Sequence, residues 1–446
     1  MRHSFFQYLL LIIILCSGCS VLEAQSKKEK KALKIWVKQE GKWGLINGME
    51  KWIVEPQYAN CLSVTDDLAI VTFLKDSTKA KGEMRQHVVV NNRGKEIFIF
   101  EAIEAEFTNN FNHILYKVST GVGAMNKDGE ILVKPVYEKL EEDPSNESRF
   151  IAVKDEKWGL VNDEGKVMVP FEYENINVAY INRYIAKNNT RFGVIDESNN
   201  VIVSFNYTMI LPNVIFDFYK SKVLYNEVFA EIGGKTILID ILAGKKILEE
   251  NLSYPLNIVG EINVLPYKSE EGFKYVNRNN KTILKLPEDF AYISFFSEGR
   301  AVFGIKRDDE MFYGLINQNG TKIVDPIYSW INSFKYGRAA FRLEGKYGYL
   351  GQNGVVKVDN IYDQAFFFDQ NGLAKVMKDG EIGCVDQSGN EVIPLKFNSI
   401  EVVNGKFYFC DGPSMNVFNV NGEPILENSY EEFRIDSSLD IVYEKL

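Results

Sequence analysis

The chain has 446 residues, of which 46% are hydrophobic and 25% are charged. These proportions are typical of a soluble globular protein and exclude a disordered chain. The formal net charge is −10. A surface that is acidic on balance repels phosphate backbones, so nucleic acid is not an expected partner.

The N-terminus has the pattern of an export signal. Arg2 and His3 precede an apolar run from Phe5 to Leu15, and small residues follow at 17–18. A short basic region, an apolar stretch and small residues, in that order, are typical of a secretory signal peptide. The run is too short to span a membrane, which takes about 20 apolar residues. We therefore expect an exported protein.

The sequence offers two alternative cleavage sites. Residues 16–19, Cys-Ser-Gly-Cys, resemble a bacterial lipobox, in which residues 1–18 are removed as the signal peptide and Cys19 is acylated, although Leu15 stands one place earlier than usual. The alternative is cleavage after Ala24, which releases a soluble secreted chain. We favour the lipid anchor on Cys19, followed by a linker over 19–34. This places the protein in the periplasm or at the outer membrane, attached to the membrane through its lipid.

Four-residue turns that begin with Asn or Asp and end with Gly recur through the chain. They occupy 91–94, 126–129, 162–165, 317–320, 386–389 and 419–422, with close variants at 196–199 and 351–354. The first side chain caps a type I turn, and the fourth position needs a positive φ, which Gly or Asn199 supplies. Each turn therefore predicts a hairpin corner.

Other positions recur at fixed distances from these turns. A Gly, usually after an aromatic residue, lies six residues before the end of the turn, and a Tyr or Phe lies eight residues after it. The segments between are short and alternating, and helical periodicity is absent. A unit of about 35 residues is thus predicted to form three antiparallel strands followed by a loop of about ten residues. The units that end near 244 and 280 are degenerate, and an insertion lies within Met209 to Glu231.

The aromatic-Gly pairs suggest a family. They include Trp43-Gly44, Trp158-Gly159, Tyr313-Gly314 and Tyr347-Gly348, and the first stands in Lys-Trp-Gly-Leu-Ile-Asn over 42–47. This pattern resembles WG-repeat proteins over nearly all of 35–446, in about eleven units. The resemblance implies an exported bacterial β-repeat protein. It supplies no catalytic motif that could be transferred to this chain.

A unit of about 35 residues cannot bury its apolar face alone, so the units must stack. The expected fold is therefore all-β, with three-stranded antiparallel meander repeats stacked into an open or coiled array. A propeller-like ring is the alternative, and the unequal unit lengths favour the open array. Because a Gly inside a strand leaves a gap, we expect the aromatic-Gly pairs to pack between closely approaching units.

Residues suited to catalysis or metal binding are sparse. Cys61, Cys384 and Cys410 are too widely spaced for a disulfide framework or a zinc site and are expected to be buried hydrophobes. His87 and His113 lie in strand-like runs and are expected to be structural. The acidic residues Glu101, Glu104, Glu106, Glu141, Glu142 and Asp143 predict a solvated face. No calcium, phosphate-loop or nucleophile-elbow motif is present in the sequence, so no cofactor, metal or catalytic residue is predicted.

Aromatic residues outside the repeat positions are the candidates for exposed contacts, with packing in loops the more common role; they are Tyr180, Tyr184, Phe366, Phe367 and Phe368. The favoured function is a non-catalytic cell-envelope binding or scaffold protein that contacts an envelope protein or a polysaccharide. The alternative is an envelope enzyme acting on glycans, with carboxylates in the irregular region 209–270. Repeats of similar sequence favour binding, because catalysis needs one constellation unlike the others.

Overall fold

The computed structural model describes residues 33–444 except 66, 77–79, 109–111, 217–221, 249–263, 270, 278–280, 404, 413–415, 427–429 and 435–440. The predicted signal peptide, Cys19, Ala24 and most of the linker lie outside the described residues. Across the described part, no helix is long and apolar enough to cross a membrane.

Apart from one 3-10 turn at Leu74–Asp76, the described elements are all strands. In chain order they are β1 (Lys34–Gln39), β2 (Lys42–Asn47), β3 (Trp52–Val64), β4 (Leu68–Phe73), β5 (Arg85–Asn91), β6 (Glu96–Ala102), β7 (Glu104–Phe107), β8 (His113–Val118), β9 (Gly121–Asn126), β10 (Ile131–Tyr137), β11 (Lys139–Glu142), β12 (Arg149–Lys154), β13 (Lys157–Asn162), β14 (Val167–Tyr173), β15 (Asn175–Tyr180), β16 (Arg183–Asn188), β17 (Arg191–Asp196), β18 (Val201–Tyr207), β19 (Met209–Phe216), β20 (Lys222–Ile232), β21 (Lys235–Asp240), β22 (Lys245–Leu248), β23 (Val264–Ser269), β24 (Gly272–Asn277), β25 (Thr282–Lys285), β26 (Phe290–Ile293), β27 (Arg300–Arg307), β28 (Glu310–Asn317), β29 (Lys322–Tyr328), β30 (Trp330–Ile331), β31 (Arg338–Leu343), β32 (Lys346–Gly351), β33 (Val356–Tyr362), β34 (Gln364–Phe368), β35 (Leu373–Lys378), β36 (Glu381–Asp386), β37 (Glu391–Phe397), β38 (Ser399–Val403), β39 (Phe407–Asp411), β40 (Asn416–Asn419), β41 (Glu432–Arg434) and β42 (Ile441–Glu444).

These strands form small antiparallel meanders that follow one another along the chain. A representative sheet has the order β11-β12-β13-β14, and the same order recurs in most of the others. The prediction of an all-β chain of tandem antiparallel repeats is therefore confirmed. The described strands fall into eleven repeats, which we number in chain order by their second strands, namely β1, β4, β8, β12, β16, β20, β23, β27, β31, β35 and β39.

The predicted hairpin corners are present. In the first of them, the Gly94 N–H donates to the Asn91 carbonyl at 2.9 Å, and Asn91 Oδ1 accepts from the Arg93 and Lys95 N–H groups. Gly94 has a φ of +81°, and Asn199 takes the same role with a φ of +67°. The left-handed fourth residue closes each corner, and a side-chain cap from the first residue supports it where that residue is Asn or Asp, as the sequence pattern predicts.

The segment between repeats differs from the prediction of a loop. After Tyr137, residues Lys139–Glu142 form β11, which pairs with β12 of the following repeat. Most sheets therefore have four strands, and the tail of each repeat supplies the first strand of the next sheet. Such a strand of four to six residues is too short, and too mixed in polarity, to display a clear period of two.

The two ends of the chain meet in the first sheet, whose order is β41-β1-β2-β3-β4-β5-β6. This sheet holds two repeats, because β3 passes from the first into the second at a register shift between Tyr58 and Asn60. The C-terminal strand β41 lies at the outer side of β1. In this sheet β41 is the first strand, the position that the tail of the preceding repeat fills in the other sheets.

Hydrophobic clusters join each sheet to the next around the described chain. A further cluster joins the last repeat to the first, with Phe409 and Val417 packed against Ile35 and Val37. Because this packing returns to its starting point, the array is closed. The preference for an open array was wrong, and the ring alternative describes the connectivity. The strand that closes the ring follows the last repeat, so its partner could not be inferred from local pattern.

The predicted insertion lies in the first hairpin of repeat 6. β19 and β20 are long, at 8 and 11 residues. The extended part of β20 also pairs in parallel with the C-terminal strand β42. The insertion thus lengthens one hairpin and leaves the repeat plan unchanged.

Candidate functional site

The first strand of each sheet is an edge strand whose residues alternate between burial and exposure. In β7, Ala105 and Phe107 are buried, whereas Glu104 and Glu106 are exposed. We call the alternate residues on the outward face of these strands the first-strand surface. Its members are Asn60, Leu62, Glu104, Glu106, Lys139, Glu141, Asn175, Asn177, Met209, Leu211, Tyr292, Trp330, Gln364, Phe366, Ser399, Glu401, Glu432 and Arg434.

The first three strands of each sheet share a register that places one residue from each strand side by side. We call such a triplet a register row. In repeat 4 it consists of Lys139, Val153 and Trp158. Because directly paired residues point to the same face of a sheet, the three side chains of a row are neighbours. The third member of the row is the aromatic position of the aromatic-Gly pair.

The predicted repeat aromatics occupy this third position. Trp43 is buried and only 3% exposed, in a cluster with Trp36 and Tyr58. Trp158, Tyr313 and Tyr347 are partly buried and pack against the clusters between neighbouring sheets; they lie in repeats 4, 8 and 9. These aromatics therefore stabilise the contact between sheets while keeping part of each ring at the surface.

The glycines that follow these aromatics are needed for a reason other than the expected one. A Cβ on Gly159 would lie 2.7 Å from the Val169 carbonyl oxygen, and a Cβ on Gly44 would lie 2.7 Å from that of Val54. Gly314 and Gly348 meet the corresponding carbonyls of Val324 and Val358. In each case the crowding atom belongs to the next strand of the same repeat, where the register shifts at a bulge. The glycine accommodates a bulge within the sheet and not the approach of another repeat.

One sector of the first-strand surface is rich in carboxylates. The first strands of repeats 3, 4 and 5 line a common open cavity of about 820 Å³. We call its carboxylates the acidic sector; they are Glu104, Glu106, Glu138, Glu141 and Glu142. The acidic run was expected to be a solvated face, and Glu104, Glu106 and Glu141 are exposed as expected.

Two lysines neutralise part of the acidic sector, and a histidine lies within hydrogen-bond distance of a third carboxylate. Lys117 lies 3.6 Å from Glu104, Lys139 lies 2.6 Å from Glu141, and His113 Nδ1 lies 2.7 Å from Glu142. Although the Glu106 side chain is exposed, the protein around it partly desolvates its carboxyl group, and this, together with the negative charge of Glu104, raises the pKa of Glu106 above its ordinary value. Two neighbouring carboxylates with unlike environments therefore lie in one cavity, an arrangement that can separate an acid from a base.

A second sector is aromatic. The row of repeat 8 consists of Tyr292, Gly304 and Tyr313, and the two rings lie 5.8 Å apart at 82°. The row of repeat 9 contains Trp330 and Tyr347, whose rings lie 5.7 Å apart at 72°. Tyr292 is 42% exposed and Trp330 is 37% exposed. The two repeats present neighbouring aromatic pairs to solvent.

Buried pairs of Asp and Tyr join successive repeats, and sequence reasoning missed them. Asp143, in the first hairpin turn of repeat 4, accepts a hydrogen bond from the hydroxyl of Tyr184 in repeat 5, and both side chains are fully buried. Asp369 and Tyr408 form the same bond between repeats 10 and 11. Burial and the carboxylate raise the pKa of Tyr184 far above its ordinary value. Asp143 also pairs with Arg149 at 3.3 Å.

Arginine side chains make a second recurring link between repeats. The Nε atom of Arg300 donates to the Gln352 carbonyl in the turn of the next repeat at 2.8 Å. Arg338 reaches the Gln387 carbonyl in the same way at 3.2 Å. The sequence signal was present, because both arginines stand in the Gly-Arg-Ala segments at 299–301 and 337–339. These residues hold neighbouring repeats together and are not members of the first-strand surface.

The aromatics outside the repeat positions are mostly buried. Tyr180 is 7% exposed, Tyr184 is 0% exposed and Phe368 is 1% exposed, so packing is their role. Phe366 and Phe367 are partly exposed. Asp143 is likewise buried within the acidic run, and its expected solvated position was wrong because it serves the buried pair with Tyr184.

The cysteines and histidines of the body have structural surroundings. Cys61, Cys384 and Cys410 are free and buried, and burial raises the pKa of Cys410 to about 12. His87 is stacked on Phe100 at 5.2 Å. Within the described residues, no group of three or more His, Cys, Asp or Glu side chains is arranged to hold a metal ion.

Three solved structures overlay with this chain only loosely. A structure described as the eukaryotic initiation factor overlays with a TM-score of 0.40 and 10% identity, covering 90% of this chain and 97% of that one. BamB from Moraxella catarrhalis gives a TM-score of 0.23 and 9% identity, covering 72% of this chain and 89% of that one. Kluyveromyces lactis Hsv2 gives a TM-score of 0.31 and 10% identity, covering 54% of this chain and 87% of that one. Overlays this loose support no conclusion about this chain.

The comparison with families is specific. None of the curated proteins matches the chain. The family model described as WG containing repeat matches six stretches, which are residues 43–73, 123–158, 158–189, 313–347, 347–381 and 382–409. These stretches contain the four aromatic-Gly pairs named above, the turns at 126–129, 162–165, 317–320, 351–354 and 386–389, and the register rows of repeats 4 and 9. These six stretches of the chain are therefore WG-containing repeats.

Proposed function

We propose that this protein is a non-catalytic binding or scaffold protein of the cell envelope, which holds a protein or polysaccharide partner on its first-strand surface. A nucleic acid partner is not proposed, because the net charge of −10 opposes one. The first strands support this role since they are edge strands with exposed side chains in a closed array of repeats.

One observation carries the proposal. The positions that build the fold keep the same chemistry from repeat to repeat, as in the turn-ending glycines Gly129, Gly165 and Gly320. By contrast, the first member of the register row changes completely, from Glu104 in repeat 3 to Trp330 in repeat 9. A constant frame that presents variable side chains at equivalent positions is how repeat proteins form extended binding surfaces.

The proposal includes the location of the protein. Export by the N-terminal signal and acylation of Cys19 would hold the repeat ring at the membrane surface through the linker 19–34. Cleavage after Ala24 would give the same binding protein in soluble form. Replacing Cys19 by Ser separates the two, because only the lipid-anchored form would leave the membrane fraction on that change.

The alternative function is an envelope enzyme acting on glycans. It draws support from Glu104 and Glu106, which share the acidic cavity and differ in environment, with the pKa of Glu106 raised. Paired carboxylates of unequal pKa are what glycoside hydrolysis uses. This places the candidate carboxylates in repeat 3 and not in the region 209–270, where residues 249–263 lie outside the described chain.

The test compares capture of envelope components by three forms of the mature chain. The first is the natural sequence, the second carries Glu104→Gln, Glu106→Gln and Glu141→Gln, and the third is a control with three exposed turn carboxylates replaced, Asp128→Asn, Glu164→Gln and Asp308→Asn. Both variants lose three negative charges, so a difference between them reports position and not net charge. We expect the natural chain and the control to recover the same partner and the first-strand variant to lose it.

Equal recovery of the partner by all three forms would contradict the proposal. The enzyme alternative is tested on the same material by release of reducing ends from envelope polysaccharide. Activity that is present in the natural chain and abolished by Glu106→Gln alone would establish the enzyme and overturn the non-catalytic role.

A further inference from the structure

The register row of repeat 9 contains a cation without a carboxylate partner among the described residues, unlike the rows of repeats 1 and 3. In repeat 1 the middle lysine, Lys38, lies 2.6 Å from Glu432. In repeat 3 Lys117 lies 3.6 Å from Glu104. In repeat 9 the middle residue is Arg342, and its neighbours in the row are Trp330 and Tyr347. Among the described residues Arg342 forms no ion pair with a carboxylate.

The three side chains of this row form one exposed platform. The guanidinium carbon of Arg342 lies 5.6 Å from the centre of the Tyr347 ring, and its Nε lies 3.4 Å from the Gly345 carbonyl oxygen. Trp330 and Tyr347 meet edge to face at 5.7 Å. Arg342 itself is exposed. A cation and two aromatic rings are therefore held together at the surface by the pairing of three strands.

The chemistry of this platform specifies the kind of ligand. A guanidinium presents a planar fork of N–H donors that matches a carboxylate. Exposed aromatic rings favour flat apolar faces, such as the C–H face of a pyranose. A hexuronic acid residue carries both features on one ring. We propose that the row Trp330–Arg342–Tyr347 binds a hexuronic acid residue of an acidic polysaccharide, at a sector of the first-strand surface where a cation without a carboxylate partner among the described residues locally opposes the net negative charge that disfavours polyanions elsewhere on the chain.

The adjacent repeat supports a polymeric ligand. The row of repeat 8 offers a second aromatic pair, Tyr292 and Tyr313, on either side of Gly304. Gly304 has no side chain, so this row provides stacking without charge. An acidic polysaccharide would place a carboxylate at Arg342 and the face of another sugar of the same polymer on the Tyr292 pair. A peptide of acidic residues alone, such as polyglutamate, would use Arg342 but has no flat ring for the two aromatic pairs.

This inference rests on the proposed function, since it names the partner class for one sector of the first-strand surface. The test uses isothermal titration calorimetry with the mature chain and hexagalacturonate as the probe, beside a neutral hexasaccharide and polyglutamate of similar charge. We expect hexagalacturonate to bind and the other two to bind at least tenfold more weakly. Trp330→Ala and Arg342→Gln should each lower its affinity tenfold or more. Lys117→Gln, at the same row position in repeat 3, should change it less than twofold.

The outcomes separate the two proposals. Absence of hexagalacturonate binding, or unchanged affinity in Trp330→Ala and Arg342→Gln, would overturn the uronate site. Polyglutamate binding that depends on Arg342 but not on Trp330 would identify an acidic-peptide site instead and overturn it as well. In either case the first-strand surface keeps its proposed role if the acidic-sector variant still loses its envelope partner. Circular dichroism of each variant checks that the fold is intact.

Discussion

The repeat aromatics are buried to different extents, so replacing them should lower the free energy of unfolding by different amounts. Trp43 is 3% exposed and packs within the cluster of Trp36, Leu45 and Tyr58. Replacing such a ring by Ala leaves a cavity and costs about 3–5 kcal/mol. Trp158 occupies the same register position but is only partly buried. The apolar area lost there is smaller, so the expected cost of Trp158→Ala is about 1–2 kcal/mol.

The ammonium group of Lys139 adds to the expected cost of Trp158→Ala. It lies 4.8 Å from the centre of the Trp158 ring, and a cation over an exposed ring contributes about 0.5–1 kcal/mol. Trp158→Ala is therefore expected to cost about 1.5–3 kcal/mol in total, which is still below the cost of Trp43→Ala.

Urea denaturation followed by far-ultraviolet circular dichroism measures both variants, because this signal does not depend on the tryptophan removed. The slope of the transition must be compared as well as its midpoint, since a change of slope would report loss of cooperativity between repeats. A free energy loss for Trp158→Ala equal to or greater than that for Trp43→Ala would refute the reasoning from burial.

Three further substitutions test the bulge, the buried Asp–Tyr pair and the turn cap that stabilise the repeats. Gly159→Ala places a Cβ 2.7 Å from the Val169 carbonyl oxygen, so it should lower the free energy of unfolding by about 1–3 kcal/mol, as measured in urea. Tyr184→Phe removes the hydrogen bond to a buried carboxylate and should cost about 1–3 kcal/mol, whereas an equal loss in Tyr137→Phe would contradict a specific role for the bond. Burial alone would raise the pKa of Asp386, but hydrogen bonds from Asn390 and from backbone N–H groups outweigh it, so its pKa lies below the ordinary 3.8. The stability from this lowered pKa is present above pH 3.8 and is lost as pH falls through the folded-state pKa. Asp386→Asn keeps the turn cap and should make unfolding less sensitive to acid, and an unchanged pH profile would contradict this.

The corners and the three main strands of a repeat could be predicted because backbone geometry demands particular residues there. A positive φ at the end of a type I turn admits few residues other than Gly and Asn, so Gly94 and Asn199 mark their turns in the sequence. The first strand of each sheet could not be predicted in this way. β11 has four residues of mixed polarity, and its pairing with the next repeat is set by tertiary packing.

Pairings across long separations in sequence were likewise beyond local pattern. Asp143 and Tyr184 are 41 positions apart, and no turn or period connects them. The closing strand is a partial exception. Residues Glu432–Arg434 follow Tyr430 as β11 follows Tyr137, so the tail has the spacing of a first strand. What the sequence did not contain was the identity of its partner, which lies at the other end of the chain.

The central claim is that the array of repeats is closed by pairing of its two ends. Lys38 and Glu432 are direct partners on β1 and β41, and their side chains lie 2.6 Å apart. Directly paired residues of antiparallel strands have Cα atoms about 4.5–5.5 Å apart, which a disulfide can bridge. The measurement is oxidation of a mature chain that carries Lys38→Cys and Glu432→Cys, followed by electrophoresis without reductant. A pair of Lys38→Cys with Glu381→Cys, which lies in a different sheet, is the control. The closed ring predicts an intramolecular disulfide in the first chain and none in the control. Free thiols or only intermolecular dimers in the first chain would mean that the ends are apart, and would contradict the closed ring.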